Sequence, residues 1–446
     1  MSPQELADLV TDRTPRGIAA TIARLVHSGD LLPGHRLPTV RELARALGVS
    51  PATVGSAWQS LASAGLVVSR GRAGTSVLPE PAARLPPRYR DLADGPAARL
   101  HLAAGAPDPA LLPDLAPALA RVARRAPALA TAGYLDDPVV PELERLLRAS
   151  WPFLAQRLTV VDGAVDAISR VLEQVVRFGD RVAVEDPGFP PVLDLLDHLG
   201  LERVAVPLDA HGPRPDALAE AVRAGVRVVL LQPRAQNPTG VSTSPTRVRE
   251  LAAVLRPAAA RLWVVEDDHS GEIASSRDVS LGPLLADRVV HVRSYSTSHG
   301  PDLRIAAVGG PALVLDGLVA RRMLGPGWTS RLLQHVLADL LTDAQAVEAV
   351  AHARRVYHGR RRALSAALAR HGVHVPPGDG INVWVPVHDE RTALVRLEAA
   401  GVRVARGRPF FSVPPGPHGF VRVTVGALRS QDVEVVAAAL AAAAAP

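Results

Sequence analysis

The stretch Ser294-Tyr-Ser-Thr-Ser-His-Gly-Pro-Asp-Leu-Arg304 decides how the rest of this 446-residue sequence is interpreted. It follows a strand-like apolar run at residues 288–293 and precedes a second one that begins at Ile305. A hydroxyl-rich turn that ends in an arginine can surround a phosphate with hydroxyls, backbone amides and a guanidinium group. The stretch therefore predicts an anion-binding turn at the end of a strand.

Short apolar runs alternate with helical patterns from residue 101 onward, and helices are predicted at 164–176 and 246–255. The strands predicted in this part are 158–161, 181–184, 203–207, 226–231, 261–266, 288–293 and 305–308. This order is typical of an α/β domain with a mostly parallel sheet, in which ligands bind at the carboxyl ends of the strands. A long helical pattern from 333 to 370, followed by strands at 381–386, 402–405 and 420–425, predicts a smaller α+β domain.

Several polar or aromatic residues follow the predicted strands. Gly163-Ala164 opens a helix whose free amides suit a phosphate, and Phe189 offers an aromatic face. Asn237 lies in a turn. Asp267 ends another strand, where its carboxylate can accept a hydrogen bond from a protonated ring nitrogen; a charge-assisted bond of this kind contributes about 1.5–3 kcal/mol. Each residue alone is more often a turn, cap or core residue. Their joint placement at strand ends predicts one ligand site.

The first eighty residues predict a winged helix-turn-helix. A helical pattern covers 16–27, and Thr39-Val-Arg-Glu42 is a capping box that opens a second helix, which ends at Gly48. Ser50-Pro51 opens a third helix, because serine caps helices and proline is favoured at the first helical position. Two short strand-like runs then flank the basic turn 70–74. Such a unit places its last helix in the major groove of double-stranded DNA and its wing on the backbone or minor groove.

The DNA contacts are expected from basic and hydroxyl side chains in this unit. The residues predicted to bind DNA are Arg41, Arg70 and Arg72, chiefly on phosphates, and Ser50 and Thr53, on base edges or phosphates. The recognition helix at 51–59 contains no arginine, so base readout is expected to be weak or to depend on Thr53, Ser56 and Gln59. A winged helix used only for protein contacts is the alternative.

Residues 37–50, with Gly74-Thr75 in the wing, resemble the GntR-type DNA-binding domain, and the resemblance covers nearly all of residues 12–78. Residues 101–430 resemble fold-type-I aminotransferases, whose cofactor segment is usually Ser-x-Ser-Lys-x-x-x-Pro-x-x-Arg. Thr297 stands at the lysine position, and the sequence contains no lysine at all. No side chain can therefore form the usual Schiff base with pyridoxal phosphate, so covalent attachment is excluded.

The resemblance implies roles for matching residues around pyridoxal phosphate. Asp267 is the partner of the pyridine nitrogen, Asn237 lies near the ring hydroxyl, and Phe189 stacks on the ring. The phosphate is expected at Gly163, Ala164, Ser294, Ser296 and Arg304. His269 replaces the usual tyrosine, and Asp166 introduces a carboxylate that would repel the phosphate unless it points away. Arg422 falls near the arginine that binds an amino-acid carboxylate.

The fusion of both parts resembles the MocR subfamily of bacterial regulators. It implies a winged helix-turn-helix at 1–79, a linker at 80–100 and an aminotransferase-like part at 101–446, with a large α/β domain at about 101–330 and a small α+β domain at about 331–446. The implied function is a DNA-binding transcription regulator whose aminotransferase-like domain is non-catalytic. Its effector is expected to be a vitamin B6 form or amino-acid adduct held non-covalently, another ligand, or none. Relatives form head-to-tail homodimers, so a homodimer is expected.

Composition sets further limits. The chain has no cysteine, which excludes disulfides and thiolate metal sites, and no metal site is predicted. A net charge of +6 argues only weakly for a nucleic-acid partner. No signal peptide is evident, and the apolar tail from Val435 is far shorter than the about 20 residues that cross a bilayer. These features predict a cytoplasmic protein without a membrane partner.

Two other functions stay open at this point. The first is a pyridoxal-phosphate enzyme that uses His269 or His299 in place of the lysine. The second is a ligand-free scaffold that serves dimerisation and partner binding.

Overall fold

The computed structural model describes residues 1–69, 74–78, 85–93, 98–125, 133–258, 262–413 and 419–445. Three sheets organise these residues: one of two strands, one of eight and one of four. Within these ranges, no helix is both long and apolar enough to cross a membrane.

The two-stranded sheet belongs to the amino-terminal helical unit, which confirms the predicted winged helix-turn-helix. Its elements are α1 (Pro3–Leu9), α2 (Pro15–His27), α3 (Val40–Leu47), α4 (Pro51–Ser63), β1 (Val67–Ser69) and β2 (Thr75–Val77). The predicted capping box at Thr39 and Glu42 is formed, and Gly48 ends α3 in the left-handed conformation at φ 67°. Helix α1 was not predicted; it buries Leu6 and Ala7 against the core of the unit.

The other two sheets and their helices form the rest of the chain. The helices are α5 (Pro87–Ala93), α6 (Leu115–Arg125), α7 (Pro141–Ser150), α8 (Ala164–Val175), α9 (Pro190–His198), α10 (Pro215–Arg223), α11 (Pro245–Leu255), α12 (Ser296–His299), α13 (Ala312–Met323), α14 (Arg331–Thr342), α15 (Ala344–Arg370), α16 (Glu390–Ala399) and α17 (Val433–Ala444). The strands are β3 (Leu100–Leu102), β4 (Arg157–Val161), β5 (Arg181–Asp186), β6 (Glu202–Asp209), β7 (Gly212–Pro213), β8 (Val228–Leu231), β9 (Trp263–Asp268), β10 (Val289–Ser294), β11 (Ala306–Gly310), β12 (Asn382–Val387), β13 (Val402–Arg406) and β14 (Gly419–Thr424).

The eight-stranded sheet has the order β4-β11-β10-β9-β8-β5-β6-β7. Strands β10, β9, β8, β5 and β6 are parallel neighbours, as predicted, whereas β11 runs antiparallel to both β10 and β4. Helices α8, α9 and α13 cover one face with a Val- and Leu-rich core, and α10 and α11 pack on the other. The carboxyl ends of β4, β10, β9, β8 and β5 therefore meet at one edge, where such sheets bind ligands.

The four-stranded sheet has the order β12-β14-β13-β3 and packs against α15, α16 and α17. Strand β3 precedes the large sheet in the chain, yet it pairs in parallel with β13 of the small sheet. The helical pattern predicted from 333 to 370 is two helices rather than one. The break falls at Asp343, because its carboxylate caps α15 by accepting from the backbone amides of Gln345 and Ala346.

The amino-terminal unit contacts the large sheet's helical layer just after α8. A guanidinium nitrogen of Arg16 on α2 lies 2.8 Å from a carboxylate oxygen of Asp180. Phe178, in the same turn, packs against the apolar core of the amino-terminal unit. The contact therefore combines an ion pair whose aspartate is buried with a half-buried aromatic ring.

Candidate functional site

The start of α8 lies directly beneath the guanidinium group of Arg304. Nη2 of Arg304 donates to the carbonyl oxygen of Asp162 at 2.9 Å. Gly163 has φ 109°, and a Cβ at this position would lie 2.6 Å from the same nitrogen. Only glycine therefore lets the guanidinium approach the free amides at the first turn of α8, where Ala164 begins the helix. We call this arrangement, which offers a guanidinium group and free amides that could hold an anion, the anion cradle.

Arg304 has a strained backbone. Among the described residues other than glycine, only Arg304 at φ 49° and Ala235 at φ 46° have a positive φ. Such a conformation costs about 1–2 kcal/mol for a residue with a Cβ. Both residues lie at the strand edge where ligands bind, and strain of this kind concentrates at functional sites.

The predicted hydroxyl groups line the turn after β10. Ser294 is 5% exposed at the end of β10, and its Oγ accepts from the backbone amide of Ser296 at 3.3 Å. The hydroxyl of Thr297 donates to the carbonyl oxygen of His269 at 3.1 Å. The structure thus brings the Ser294–Arg304 turn against the residues that follow β9.

The expected repulsion by Asp166 is removed by neighbouring cations. Its carboxylate accepts from the backbone amide of Asp162 at 3.2 Å and from Nε of Arg170 at 2.9 Å. A guanidinium nitrogen of Arg322 lies 3.7 Å away. The negative charge of Asp166 is therefore paired with two arginines. Its hydrogen bond to the Asp162 amide connects the first turn of α8 to the residue that precedes Gly163.

Asp267 lies deep in the sheet with one oxygen ready to accept a hydrogen bond. The residue is 1% exposed, and its Oδ2 accepts from Nε2 of Gln232 at 2.8 Å. Its Oδ1 is buried and, within the described part of the chain, has no hydrogen-bond partner. Burial raises the pKa of Asp267 and the charge of His269 opposes that rise. An N–H donor, such as a protonated ring nitrogen, would satisfy this oxygen.

Gln232 connects the acidic residues, and we did not predict its role from the sequence. Its backbone amide donates to Oε2 of Glu185 at 3.1 Å, and its Oε1 accepts from the backbone amide of Asn237 at 2.8 Å. Burial raises the pKa of Glu185 to about 8. A glutamine after a strand carries no signal for this role in the sequence, because Glu185 and Asp267 come from other strands.

Asn237 and Arg422 form the far side of the site. Nη1 of Arg422 donates to Oδ1 of Asn237 at 3.2 Å, and Nη2 donates to the carbonyl oxygen of Ala103 at 2.5 Å. Arg422 is 2% exposed, burial lowers its pKa to about 10, and its Nε has no partner among the described residues. Because those residues provide no carboxylate within ion-pair distance, the guanidinium is free to pair with a carboxylate ligand.

Phe189 and His269 lie at the same edge of the sheet. Phe189 immediately precedes α9, is half-buried, and packs partly against the core of the large sheet. It borders a small cavity that Glu185 and Gln232 also line. His269 donates from Nε2 to the carbonyl oxygen of Ala235 at 2.9 Å. Both residues are therefore close to the Asp267 network.

His299 is placed as a core residue. It is 3% exposed, its Nδ1 lies 2.8 Å from the hydroxyl of Ser298, and its ring meets Tyr295 edge-on. Burial lowers the pKa of His299 to about 4. A buried neutral imidazole of this kind is poorly suited to act as a catalytic base at neutral pH.

The predicted DNA contacts are partly engaged in helix capping. Ser50 Oγ accepts from the backbone amide of Thr53 at 3.2 Å and lies 2.9 Å from the Thr53 hydroxyl. Arg41 is exposed on α3, whereas Arg70 and Arg72 lie outside the described residues. Arg36, which we did not single out from the sequence, is exposed and reaches the base of the wing. A Cβ at Gly74 would lie 2.9 Å from its Nε.

Two family models match the chain. The model described as bacterial regulatory proteins, gntR family, matches residues 14–77, and the model described as aminotransferase class I and II matches residues 99–440. The second match covers more than half of the chain. The two matched segments correspond to the amino-terminal helical unit and to the two larger sheets.

Curated relatives share the whole arrangement. The vitamin B6 salvage pathway transcriptional repressor PtsJ of Salmonella typhimurium is 36% identical over 443 residues, which cover 96% of this chain and 98% of that protein. The pyridoxine biosynthesis transcriptional regulator PdxR of Corynebacterium glutamicum is 28% identical and covers 82% of this chain and 80% of its own length.

Solved structures resemble the larger part of the chain. The α-aminoadipate aminotransferase LysN of Thermus thermophilus, complexed with N-(5′-phosphopyridoxyl)-L-leucine, matches with a TM-score of 0.70 and 25% identity, over 80% of this chain and 95% of that chain. The aspartate aminotransferase of Thermus thermophilus matches with a TM-score of 0.68 and 21% identity, over 78% and 92%, which supports the fold alone. The chain therefore belongs to the aminotransferase class I and II family and is a transcriptional regulator of the GntR/MocR type with an aminotransferase-like domain.

Proposed function

We propose that this regulator senses a vitamin B6 form, or its adduct with an amino acid, and that its aminotransferase-like domain holds the ligand non-covalently without turning it over. The observation that carries the proposal is the absence of any lysine from the 446 residues. Thr297 occupies the place of the cofactor lysine, and its hydroxyl is already bonded to the carbonyl oxygen of His269. Covalent capture, the catalytic base and the return step of transamination all depend on that missing amine.

The residues fit pyridoxal phosphate in its binding role. The phosphate would lie at the cradle formed by Gly163, Ala164, Ser294, Ser296 and Arg304. Asp267 would accept from the ring nitrogen, because its Oδ1 is buried without a partner in the described chain. Asn237 and His269 would lie near the ring hydroxyl, and Phe189 would stack on the ring. Pyridoxal phosphate supplies an electron sink to enzymes of this fold.

The amino-acid part of an adduct would be recognised by Arg422. Its buried guanidinium contacts an amide and a carbonyl oxygen but, in the described ranges, no carboxylate. An α-carboxylate would supply the opposite charge that burial makes favourable. The names of PtsJ and PdxR connect those relatives with vitamin B6 salvage and pyridoxine biosynthesis, which supports a vitamin B6 form as the effector here.

Absorbance titration with pyridoxal phosphate, followed by borohydride treatment and denaturing gel filtration, tests the proposal. We expect saturable binding and no ligand retained after denaturation. Asp267→Asn is expected to weaken binding about tenfold or more, because a hydrogen bond to a charged group is lost. The matched control Asp278→Asn, on an aspartate that is 41% exposed and pairs with Arg234 and Arg293, should bind as the wild type does.

Three results would contradict the proposal. A borohydride-fixed adduct would show covalent attachment, and sustained conversion of an amino acid to its keto acid would show turnover. Binding that Asp267→Asn and Arg304→Gln both leave unchanged would instead favour a scaffold without a specific pocket. The burial of His299 speaks against an enzyme that uses this histidine as its base.

DNA binding is proposed for the exposed side of the winged helix-turn-helix. The groups that we assign to it are Arg41, Ser50, Thr53, Arg70 and Arg72. Ser50 and Thr53 also cap α4, so their substitution is expected to act partly through the stability of that helix. Arg41→Gln is the cleaner test, because a lost phosphate contact weakens binding to all duplexes by a similar factor.

We propose further that the chain works as a cytoplasmic head-to-tail homodimer on double-stranded DNA. The proposed division is a DNA-binding domain at 1–79, a linker at 80–100 and an effector and dimerisation domain at 101–446. A dimer presents two helix-turn-helix units to two half-sites, as readers of this kind require.

A further inference from the structure

Helix α5 lies in the connection between the DNA-binding unit and the two larger sheets. It begins at Pro87, and the preceding Pro86 has no side-chain oxygen with which to cap it. Instead Oδ2 of Asp194, on α9, accepts from the backbone amides of Arg88 at 2.9 Å and Tyr89 at 3.2 Å. A seven-residue helix is unstable alone in water. Helix α5 therefore depends on α9 for its own amino-terminal cap.

An ion-pair network strengthens this attachment. Nη1 of Arg88 donates to Oδ1 of Asp194 at 2.9 Å and to Oδ2 of Asp197 at 2.6 Å. Asp194 is 6% exposed, so the loss of Arg88 leaves a buried carboxylate with less compensation. The contact between α5 and α9 therefore depends more closely on the position of α5 than an exposed ion pair would, because three donors of α5 meet one buried carboxylate.

The opposite side of α5 packs on the small sheet. Leu92 contacts the apolar cluster that contains Trp384 and Phe410. Helix α5 also contacts β13 and the turn Arg408–Phe410. Helix α5 thus packs between α9 of the large sheet and the aromatic cluster of the small sheet. We call the space between these two elements the slot. A relative movement of the large and small domains changes the width of the slot.

The same slot adjoins the ligand site. Helix α9 begins directly after Phe189, and the preceding turn is fixed to the small domain. There Asp186 accepts from the backbone amide of Ser412 at 2.6 Å, and the Gly188 amide donates to the Phe410 carbonyl at 2.8 Å. Burial raises the pKa of Tyr89 on α5, and the positive charge of Arg304 opposes that rise.

We propose that α5 couples the ligand site to the DNA-binding unit, and that Arg88 is the positioning residue that holds it in the slot. The inference deepens the proposed function and rests on it. A ligand that contacts Phe189 and Arg422 draws the large and small domains together, because these residues lie on opposite bodies. Closure tightens the slot, orders α5 and restrains the connection to the winged helix-turn-helix.

The test uses the full chain and compares Arg88→Gln with a matched control on the same helix. Arg90→Gln makes the same charge change at an exposed side chain for which the described residues provide no ion pair. Asp197→Asn is a second disrupting variant at the other end of the contact. Thermal unfolding first establishes that each variant is folded.

Two quantities are measured with and without pyridoxal 5′-phosphate. The first is amide hydrogen exchange in peptides that cover residues 85–93. The second is the dissociation constant for a duplex that the wild-type protein selects from a randomised pool. Since coupling free energies are typically 1–3 kcal/mol, we expect about a 5-fold or larger ligand effect on the DNA dissociation constant in the wild type and in Arg90→Gln.

In Arg88→Gln and Asp197→Asn, the affinity for pyridoxal 5′-phosphate should persist while its effect on DNA affinity falls below about 2-fold. The slowing of amide hydrogen exchange at residues 85–93 that the ligand causes in the wild type should also disappear in these two variants. If both variants keep the wild-type ligand effect, the coupling role of α5 is wrong although the proposed function stands. If the wild type itself binds no ligand, or shows no ligand effect on DNA, the proposed function fails and the coupling fails with it.

Discussion

Glu185 is a buried carboxyl group whose protonation state makes the site sensitive to pH. Its Oε1 has no partner among the described residues, and burial raises its pKa from 4.5 to about 8. Between these two values the folded protein keeps a proton that the unfolded chain has lost. The free energy of unfolding therefore falls as pH rises through this interval, by at most about 1.4 kcal/mol per pH unit.

Glu185→Gln should remove most of this dependence, because glutamine resembles the protonated acid in shape. We expect the variant to equal the wild type near pH 4.5 and to be the more stable protein at pH 8. Denaturant unfolding at pH 5, 6.5 and 8 measures the difference. A difference that is constant across the three pH values would mean that Glu185 ionises normally in the folded protein.

The residues of the site differ in how well the sequence predicts them. The sequence singled out Asp267, Asn237 and Arg304 because each lies at or near the end of a predicted strand and matches a family motif. Gln232 was not, because its importance comes from bonds to Glu185, Asp267 and Asn237, which only the folded sheet brings together. A motif marks positions along the chain, whereas a hydrogen-bond network depends on distances between segments.

At the level of elements, the start of α8 offers a matched pair of glycine substitutions. Gly163→Ala places a Cβ 2.6 Å from Nη2 of Arg304 at a residue with φ 109°. We expect a cost of about 1–2 kcal/mol in stability and at least about tenfold weaker binding of pyridoxal phosphate, since the charge-assisted contact of Arg304 is displaced. Absorbance titration and thermal unfolding measure the two effects.

Gly359→Ala is the control within α15, where an added Cβ meets no atom within 4 Å. It should stabilise the protein by about 0.5–1 kcal/mol, because alanine loses less backbone entropy in a helix. Ligand affinity should not change. Equal affinity in Gly163→Ala and the wild type would place the anion elsewhere.

Most strands of the large sheet were predicted because their short apolar runs are continuous and alternate with helical patterns. Helices α1 and α5 were not predicted, and the reason is physical. Both are seven residues long and carry little helical periodicity, so their formation depends on partners distant in sequence. For α5 the decisive partner is Asp194, whose carboxylate supplies the cap that the local sequence lacks.

At the scale of the whole molecule, one exposed apolar face adjoins the anion cradle. It includes Leu135 and Tyr134, which are 92% and 87% exposed, and the half-buried Trp328. Leu324 and Leu332, 81% and 59% exposed, lie within four residues of Trp328 in the chain. The rings of Tyr134 and Trp328 stack at 6.4 Å. The adjacent Thr329 bonds to Asp162, the residue before Gly163. Exposed apolar surface of this kind marks an interaction site.

We predict that a second copy of the chain covers this apolar face. Leu135→Asp should raise the dissociation constant of the dimer by about 30-fold or more, because a buried hot-spot residue contributes about 2 kcal/mol or more. Val395→Asp, which is 63% exposed on α16 of the small domain, is the matched control and should leave association unchanged. Sedimentation velocity over a range of protein concentrations measures both.

A wild-type chain that stays monomeric, or a Leu135→Asp variant that associates as tightly as Val395→Asp, would show that another surface or no partner protects this face. Affinity for pyridoxal phosphate is a second readout for these variants, because the apolar face lies beside Gly163. If the second copy also covers the anion cradle, the affinity of the wild type for pyridoxal phosphate should depend on protein concentration.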